Sequence, residues 1–191
     1  FINDEGWGIT PWAGKTFDKE LGDIGPKTYA KVCELILRMK GNVLAPAMHP
    51  SSGAFNKYPE NKLVADSYGI IMSSSHCEPL LFNNVTEWDK KTMGEWNYMT
   101  NKEGINKILD QRVSENAPYE NIYTIAMRGI HDSGLVGVPK DKEVSLVEEV
   151  IADQRSILKK HIDASLDSIP QIFVPYKEVL DIYERGLRLP E

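Results

Sequence analysis

Five apolar, β-branched-rich runs, each followed by a segment with helical spacing, constrain the fold of this chain more than any other feature. The runs are Phe1-Ile2, Asn42-Val43-Leu44, Gly69 to Met72, Asn121 to Met127 and Gln171 to Val174. The first helical segment carries Tyr29, Val32, Cys33, Ile36 and Leu37, a helical spacing of apolar positions, with Pro26 placed to open it and Gly41 to close it. The second runs from Pro59 to Tyr68. In the third, with Trp88, Trp96, Ile105, Ile108 and Leu109, the periodicity slips near Gly94 or Gly104, which predicts two helices. The fourth places Val147, Val150, Ile151, Gln154, Leu158 and His161 on one face behind a Ser145-x-x-Glu148 capping box, and the fifth begins soon after Val174.

Strict alternation of this kind predicts a parallel sheet with right-handed crossovers. The connections leaving the strands are long and polar (5–25, 46–58, 74–86 and 128–143), whereas those returning from helix to strand are short. That asymmetry predicts an α/β fold of the TIM (β/α)8 barrel type, with five of the eight βα units in residues 1–191 and the site at the strands' C-terminal ends. The rival is an open nucleotide-binding sheet. After Gly6-x-Gly8, however, come Thr10, Pro11 and Trp12 instead of a third glycine and a helix start. A core strand at the first residues, and a last helical pattern that stops at Gly186 and Pro190, suggest a segment of a longer multidomain polypeptide.

Charge narrows the partners. Against 22 Lys and Arg stand 28 Asp and Glu, a net charge of −6, and the basic residues are dispersed. No basic stripe offers itself to nucleic acid, and an anionic membrane surface would repel the chain. No stretch approaches the roughly 18 consecutive apolar residues of a membrane span. Cys33 and Cys77 are too few for a disulfide scaffold, and spacing leaves open whether they pair.

Each strand end carries ionisable groups: Asn3, Asp4 and Glu5; His49; His76, Cys77 and Glu78; Arg128, His131 and Asp132; Tyr176, Lys177 and Glu178. Singly, each reads as a solvated loop charge or a helix-start carboxylate. Five consecutive strand ends supplying them is a different matter, because barrel stability requires no charge at that face. Metal-ligand spacing is absent: there is no H-x-H at the first strand, no H-E-x-x-H and no C-x-x-C, so neither metal nor cofactor is expected. His76 and Cys77, if adjacent on a strand, point to opposite faces and cannot share a proton. Cys33 reads as core, His161 as surface or packing, and Asn84-Val85-Thr86 as a chance glycosylation sequon. What remains is a carboxylate-rich pocket with Arg128, Lys177 and histidines as cationic partners, near Trp7, Trp12, Tyr58, Phe82, Trp88 and Tyr176. Carboxylate pairs serve glycosidic hydrolysis, and arginine suits a substrate with its own carboxylate.

Several stretches taken together resemble glycoside hydrolase family 115. They are Phe1-Ile-Asn-Asp-Glu5, Leu37-Arg-Met-Lys-Gly-Asn42 leading to Ala45-Pro-Ala-Met48, Pro59-Glu-Asn61, and Tyr68-Gly-Ile-Ile-Met72 with Ser75-His-Cys-Glu-Pro79. Ile125-Ala-Met-Arg-Gly129, Ile151-Ala-Asp-Gln-Arg155 and Tyr176-Lys-Glu178 complete the set, in order, over essentially the whole chain. The resemblance implies a xylan α-1,2-glucuronidase that inverts the anomeric carbon while releasing glucuronic acid or its 4-O-methyl ether from glucuronoxylan. It further implies a (β/α)8 catalytic domain, a full-length protein that dimerises, and a periplasmic or secreted location suited to a polysaccharide. Carried over residue by residue, it implies Glu178 as general acid, Asp132 as the base candidate within this chain, Arg128 and His76 as uronate ligands, and Asp4 at a sugar hydroxyl. Gly129-Ile-His-Asp-Ser133 departs from the family, which often carries more acidic residues there, and a further acidic strand end of the family lies beyond residue 191. The competing expectation is a non-catalytic carbohydrate-binding or structural segment, since five strands of an eight-stranded barrel leave unpaired edges.

Overall fold

A computed structural model of the chain describes residues 1–3 and 5–190; Asp4, a candidate sugar ligand, lies outside the described residues. Four strands form: β1 (Val43–Leu44), β2 (Ile71–Met72), β3 (Tyr123–Ile125) and β4 (Gln171–Phe173). β1 pairs in parallel with β2, Val43 opposite Ile71, and β3 in parallel with β4, Tyr123 opposite Gln171. Met72 N–H donates to the Glu120 carbonyl (3.0 Å) and Ile122 N–H to the Met72 carbonyl (2.8 Å), a parallel bridge that joins the two small sheets. The strands therefore lie side by side in chain order. The architecture is mixed α/β with parallel pairing, and among the described residues no closed barrel is present.

Two differences from the sequence reading have local causes. Phe1-Ile2 does not form a fifth strand; Ile2 N–H makes one bond to the Ala45 carbonyl (3.0 Å) beside β1. The run from Asn121 to Met127 yields only three strand residues, because the side chain of Gln154 captures the next peptide unit. Its Oε1 accepts from Ala126 N–H (2.8 Å), its Nε2 donates to the Ala126 carbonyl (2.9 Å), and Ala126 turns to φ 93°. A buried backbone needs partners, and a side chain that supplies both ends the ladder.

The helices follow the apolar spacing with corrected edges. Residues 5–25, expected as loop, contain a π-helical turn (Glu5–Ile9) and α1 (Thr10–Thr16), whose Pro11 suits a helix start. α2 (Pro26–Arg38) and α3 (Glu60–Ser67) lie where predicted. The slip in periodicity is a break between α4 (Lys90–Met93), which ends at Gly94, and α5 (Tyr98–Asn116); Gly104 sits inside α5 without ending it. α6 (Glu143–His161) begins before Ser145, so no capping box forms: Ser145 Oγ donates to the Lys142 carbonyl and Glu148 accepts from Arg188 N–H. α7 (Glu178–Glu184) closes the described chain. No helix among the described residues is long and apolar enough to cross a membrane.

Two apolar cores result. One gathers Ile24, Tyr29, Cys33, Leu44 and Met72 around β1 and β2; the larger packs Ile105, Leu109, Tyr123, Ile151, Leu158 and Ile182 between α5, α6, α7 and β3. Cys33 and Cys77 are both buried and free. At the first core, the fully buried Asp18 anchors the start of α2. It accepts from the backbone N–H groups of Gly25 (3.1 Å), Lys27 (3.0 Å) and Thr28 (2.9 Å) and from the Thr28 hydroxyl (2.5 Å). Asp18→Ala leaves these donors without a partner and is expected to cost about 2–3 kcal/mol, read by chemical denaturation, with Asp18→Asn recovering part of the loss.

Candidate active site

The site is built where β2, β3 and β4 end. Directly after the turn at Ala126, Arg128 is drawn inward until its guanidinium is 2% exposed. A buried guanidinium demands anionic partners, and two are supplied. Glu178, at the first turn of α7, takes a fork from Arg128: Nε to Oε1 at 2.6 Å and Nη2 to Oε2 at 2.7 Å. Asp132 Oδ1 accepts from Arg128 Nη1 on the other side. Asp132 also receives His76 Nε2 (3.0 Å) and Lys177 Nζ (2.5 Å). The ring of Tyr176 covers the group, 4.7 Å from His76 and 5.6 Å from Arg128, centroid distances of edge and cation contacts.

These contacts set the charges. Burial opposes ionisation of Asp132, but hydrogen bonds from Lys177, Arg128 and His76 outweigh it and hold the carboxyl well below the ordinary aspartate range. Burial likewise disfavours the Arg128 cation, and Glu178 and Asp132 reverse that, pushing the guanidinium further from deprotonation. Lys177 is raised by its bond to Asp132.

The loops that hold this cluster are themselves braced. Trp96 Nε1 donates to the Arg128 carbonyl (3.0 Å), and Trp96 is stacked on Phe82 and crossed by Trp88. Asn84 donates to the Gly129 carbonyl (3.1 Å) and accepts from His131 N–H (3.0 Å). That buried role uses both ends of the amide, so the sequon at Asn84 is a structural brace. A methyl group on Gly129 would lie 2.2 Å from the Gly134 carbonyl oxygen, so the loop bearing Asp132 closes only over glycine. Sequence reasoning missed these supports, since a brace like Asn84 or Gln154 carries no local spacing signal.

Of the other strand-end candidates, Glu5 is buried and accepts from Met48 N–H (3.2 Å), and His49 bonds Ser51. His76 and Cys77 lie in a turn after β2, not on the strand itself. Cys77 is buried beside Ser75 and Met48, and burial pushes its thiol up to about 11. Glu78 is buried beneath that turn, accepting from Ser75 N–H (3.1 Å) and Asn83 Nδ2 (2.9 Å). His161 joins Asp110 (3.0 Å) between α6 and α5, away from the site. Among the described residues, no three His, Cys, Asp or Glu side chains converge as a metal set.

The parallel α/β framework thus gathers two carboxylates around one buried guanidinium at its strand ends, with a histidine and a lysine alongside. The chain belongs to glycosyl hydrolase family 115, whose family model matches residues 1–191. Among solved structures, the chain is similar to BtGH115A, described as a family GH115 4-O-methyl-α-glucuronidase with specificity for decorated arabinogalactans. Identity is 40% and the TM-score 0.94, over 100% of this chain and 25% of that one. The chain thus spans a quarter of that protein's length. No curated protein matches it.

Two outcomes test this geometry. Arg128→Ala leaves Asp132 and Glu178 without their shared cation; allowing for their partial exposure, a loss of about 2–3 kcal/mol is expected in chemical denaturation, and Arg128→Lys, lacking the fork, recovers little of it. Burial lifts the Glu78 carboxyl to about 7, against the bonds from Ser75 and Asn83 that favour its ionised form. Its folded value thus exceeds the unfolded one, about 4.3, so its contribution to stability is fully present below that pH and is lost as pH rises through 7. Melting temperatures between pH 5 and 8 are expected to fall less in Glu78→Gln than in the natural protein.

Proposed function

We propose that these residues are part of an inverting α-glucuronidase that removes α-1,2-linked glucuronic acid, or its 4-O-methyl ether, from glucuronoxylan. In this reading residues 1–191 supply the first part of a (β/α)8 catalytic barrel within a longer, dimeric chain acting in the periplasm or outside the cell. One observation carries the reading: in a family 115 chain, Arg128 holds Glu178 and Asp132 together at the ends of adjacent parallel strands.

Glu178 is the proposed general acid and Asp132 the proposed base, with Arg128 and His76 receiving the uronate and Asp4 a sugar hydroxyl. The geometry supports a division of labour. Both Glu178 oxygens are engaged by Arg128, and Asp132 by three donors. The formal charges of Arg128 and Lys177 balance those of Asp132 and Glu178. A uronate carboxylate brings one more negative charge and competes for the same N–H groups. As Arg128 and Lys177 turn to it, each enzyme carboxylate gives up hydrogen-bond donors to the substrate. Glu178 then takes up and delivers a proton to the glycosidic oxygen as the C1–O bond breaks. Asp132 accepts the proton of a water attacking C1 from the opposite face.

The polysaccharide has a second reading, favoured by the 40% identity to BtGH115A, which is described as specific for decorated arabinogalactans. The test therefore offers both polysaccharides to the full-length protein and follows the anomeric proton of released uronic acid by NMR. The expected first product is the β-anomer, with kcat reduced about 10²–10⁴-fold in Glu178→Gln. Release of the α-anomer first would reject inversion. Binding without release, unaffected by Glu178→Gln, would leave the non-catalytic carbohydrate-binding reading.

A further inference from the structure

Of the six aromatic residues that the sequence places near the site, five have structural partners. Trp12 packs on Phe17, Tyr58 donates to Asp23, Phe82 and Trp88 support Trp96, and Tyr176 covers His76 and Arg128. Trp7 stands apart. It projects from the π-helical turn with its side chain 91% exposed, beside a cavity of about 390 Å³ lined by Asn3, Glu5, Gly6, Trp7, His49 and Ser51. A π-helical turn is uncommon and often marks a functional position, and the volume lies within the range of small-molecule sites, roughly 300–1,000 Å³.

The walls of this cavity are ordered. Ser51 N–H donates to His49 Nδ1 (3.2 Å) and the Ser51 hydroxyl lies 2.8 Å from the same atom, which places the ring proton on Nε2 as a hydrogen-bond donor. Gly6 lets the turn approach this pair: a methyl group there would sit 2.9 Å from Ser51 Oγ. The cavity adjoins the charged cluster, because the His49 ring is 5.9 Å from that of His131, the residue before Asp132. His131 holds a left-handed backbone (φ 54°), and its buried Nε2 has no partner among the described residues. Strain and an unmet hydrogen bond at one residue are features that collect at ligand sites.

We propose that Trp7, His49 and Asn3 form a subsite for an uncharged sugar, the unit of the glycan chain to which the uronate is attached. An exposed indole face suits the C–H face of a sugar ring, while the imidazole N–H and the carboxamide suit its hydroxyls. Charge excludes the alternatives. Among the described residues its lining holds no lysine or arginine, and the carboxylate of Glu5 in that lining disfavours a second uronate. The acidic sugar goes to Arg128 and the neutral one to Trp7. This inference rests on the uronidase reading for its place in the reaction, but the binding it describes is separable from turnover.

The test uses the full-length protein and its Trp7→Ala and Trp7→Phe variants. Calorimetric titration with a neutral oligosaccharide of the substrate backbone, lacking uronate, reads the subsite directly; KM for the uronate-bearing oligosaccharide reads it during turnover. Trp7→Ala is expected to weaken the neutral ligand and raise KM about tenfold, while inhibition by free glucuronic acid is unchanged; Trp7→Phe restores most of the loss. Unchanged affinity and KM in Trp7→Ala would overturn the subsite. So would a lowered melting temperature with unchanged affinity, which would mean that the indole packs against another part of the polypeptide. Should the natural protein release no uronic acid, the hydrolase reading fails, and the neutral-ligand titration still decides the subsite.

Discussion

A buried guanidinium cannot stand alone, and the arrangement of the strand ends follows from how Arg128 is satisfied. Its cost of leaving water is met only because β3 and β4 run in parallel and in neighbouring positions, so that the residues following each strand meet at one end. Glu178 comes from one of those ends and Asp132 from the loop after the other. His76, from the turn after β2, and Lys177 are drawn in by Asp132 in turn. A single cation thus ties together groups from three strand ends.

That arrangement depends on supports that do no chemistry. Gln154, on α6, ends β3 by taking both polar groups of Ala126, and the chain swings so that Arg128 points inward. Trp96 and Asn84 hold the carbonyls of Arg128 and Gly129. All three supports are buried and hydrogen-bonded, so each is worth more in place than its single bond suggests: removing it would strand a polar backbone group in the interior. The catalytic geometry proposed for Glu178 and Asp132 is accordingly a property of the packing around Arg128.

The strand-end face also divides by charge. The Arg128 guanidinium makes ionic and charge-assisted contacts, whereas the groups beside Trp7 are an imidazole N–H, an amide and a single carboxylate. A branched glycan with one acidic unit on a neutral chain presents the same division, and the two regions meet at the His49 and His131 rings.

Much of this was legible in the residues alone. The alternation of short apolar runs with helix-period segments was enough for parallel pairing, because a crossover helix returns the chain to the same end of the sheet. The chemical types gathered at the strand ends were legible too, since those positions follow from the ends of the runs. Extent was not. The reach of β3 beyond Ile125 was decided by Gln154, distant in sequence, and α6 starts at Glu143, ahead of the Ser145-x-x-Glu148 pattern. Residue type likewise could not separate Asp132, which faces three donors, from Glu78, which is buried among neutral ones. Sequence by itself determined which groups arrive at the site, through periodicity and turn chemistry that act over a few residues. Only the tertiary structure decided which of them share a proton or a charge, because pairing depends on distances between segments that periodicity does not encode.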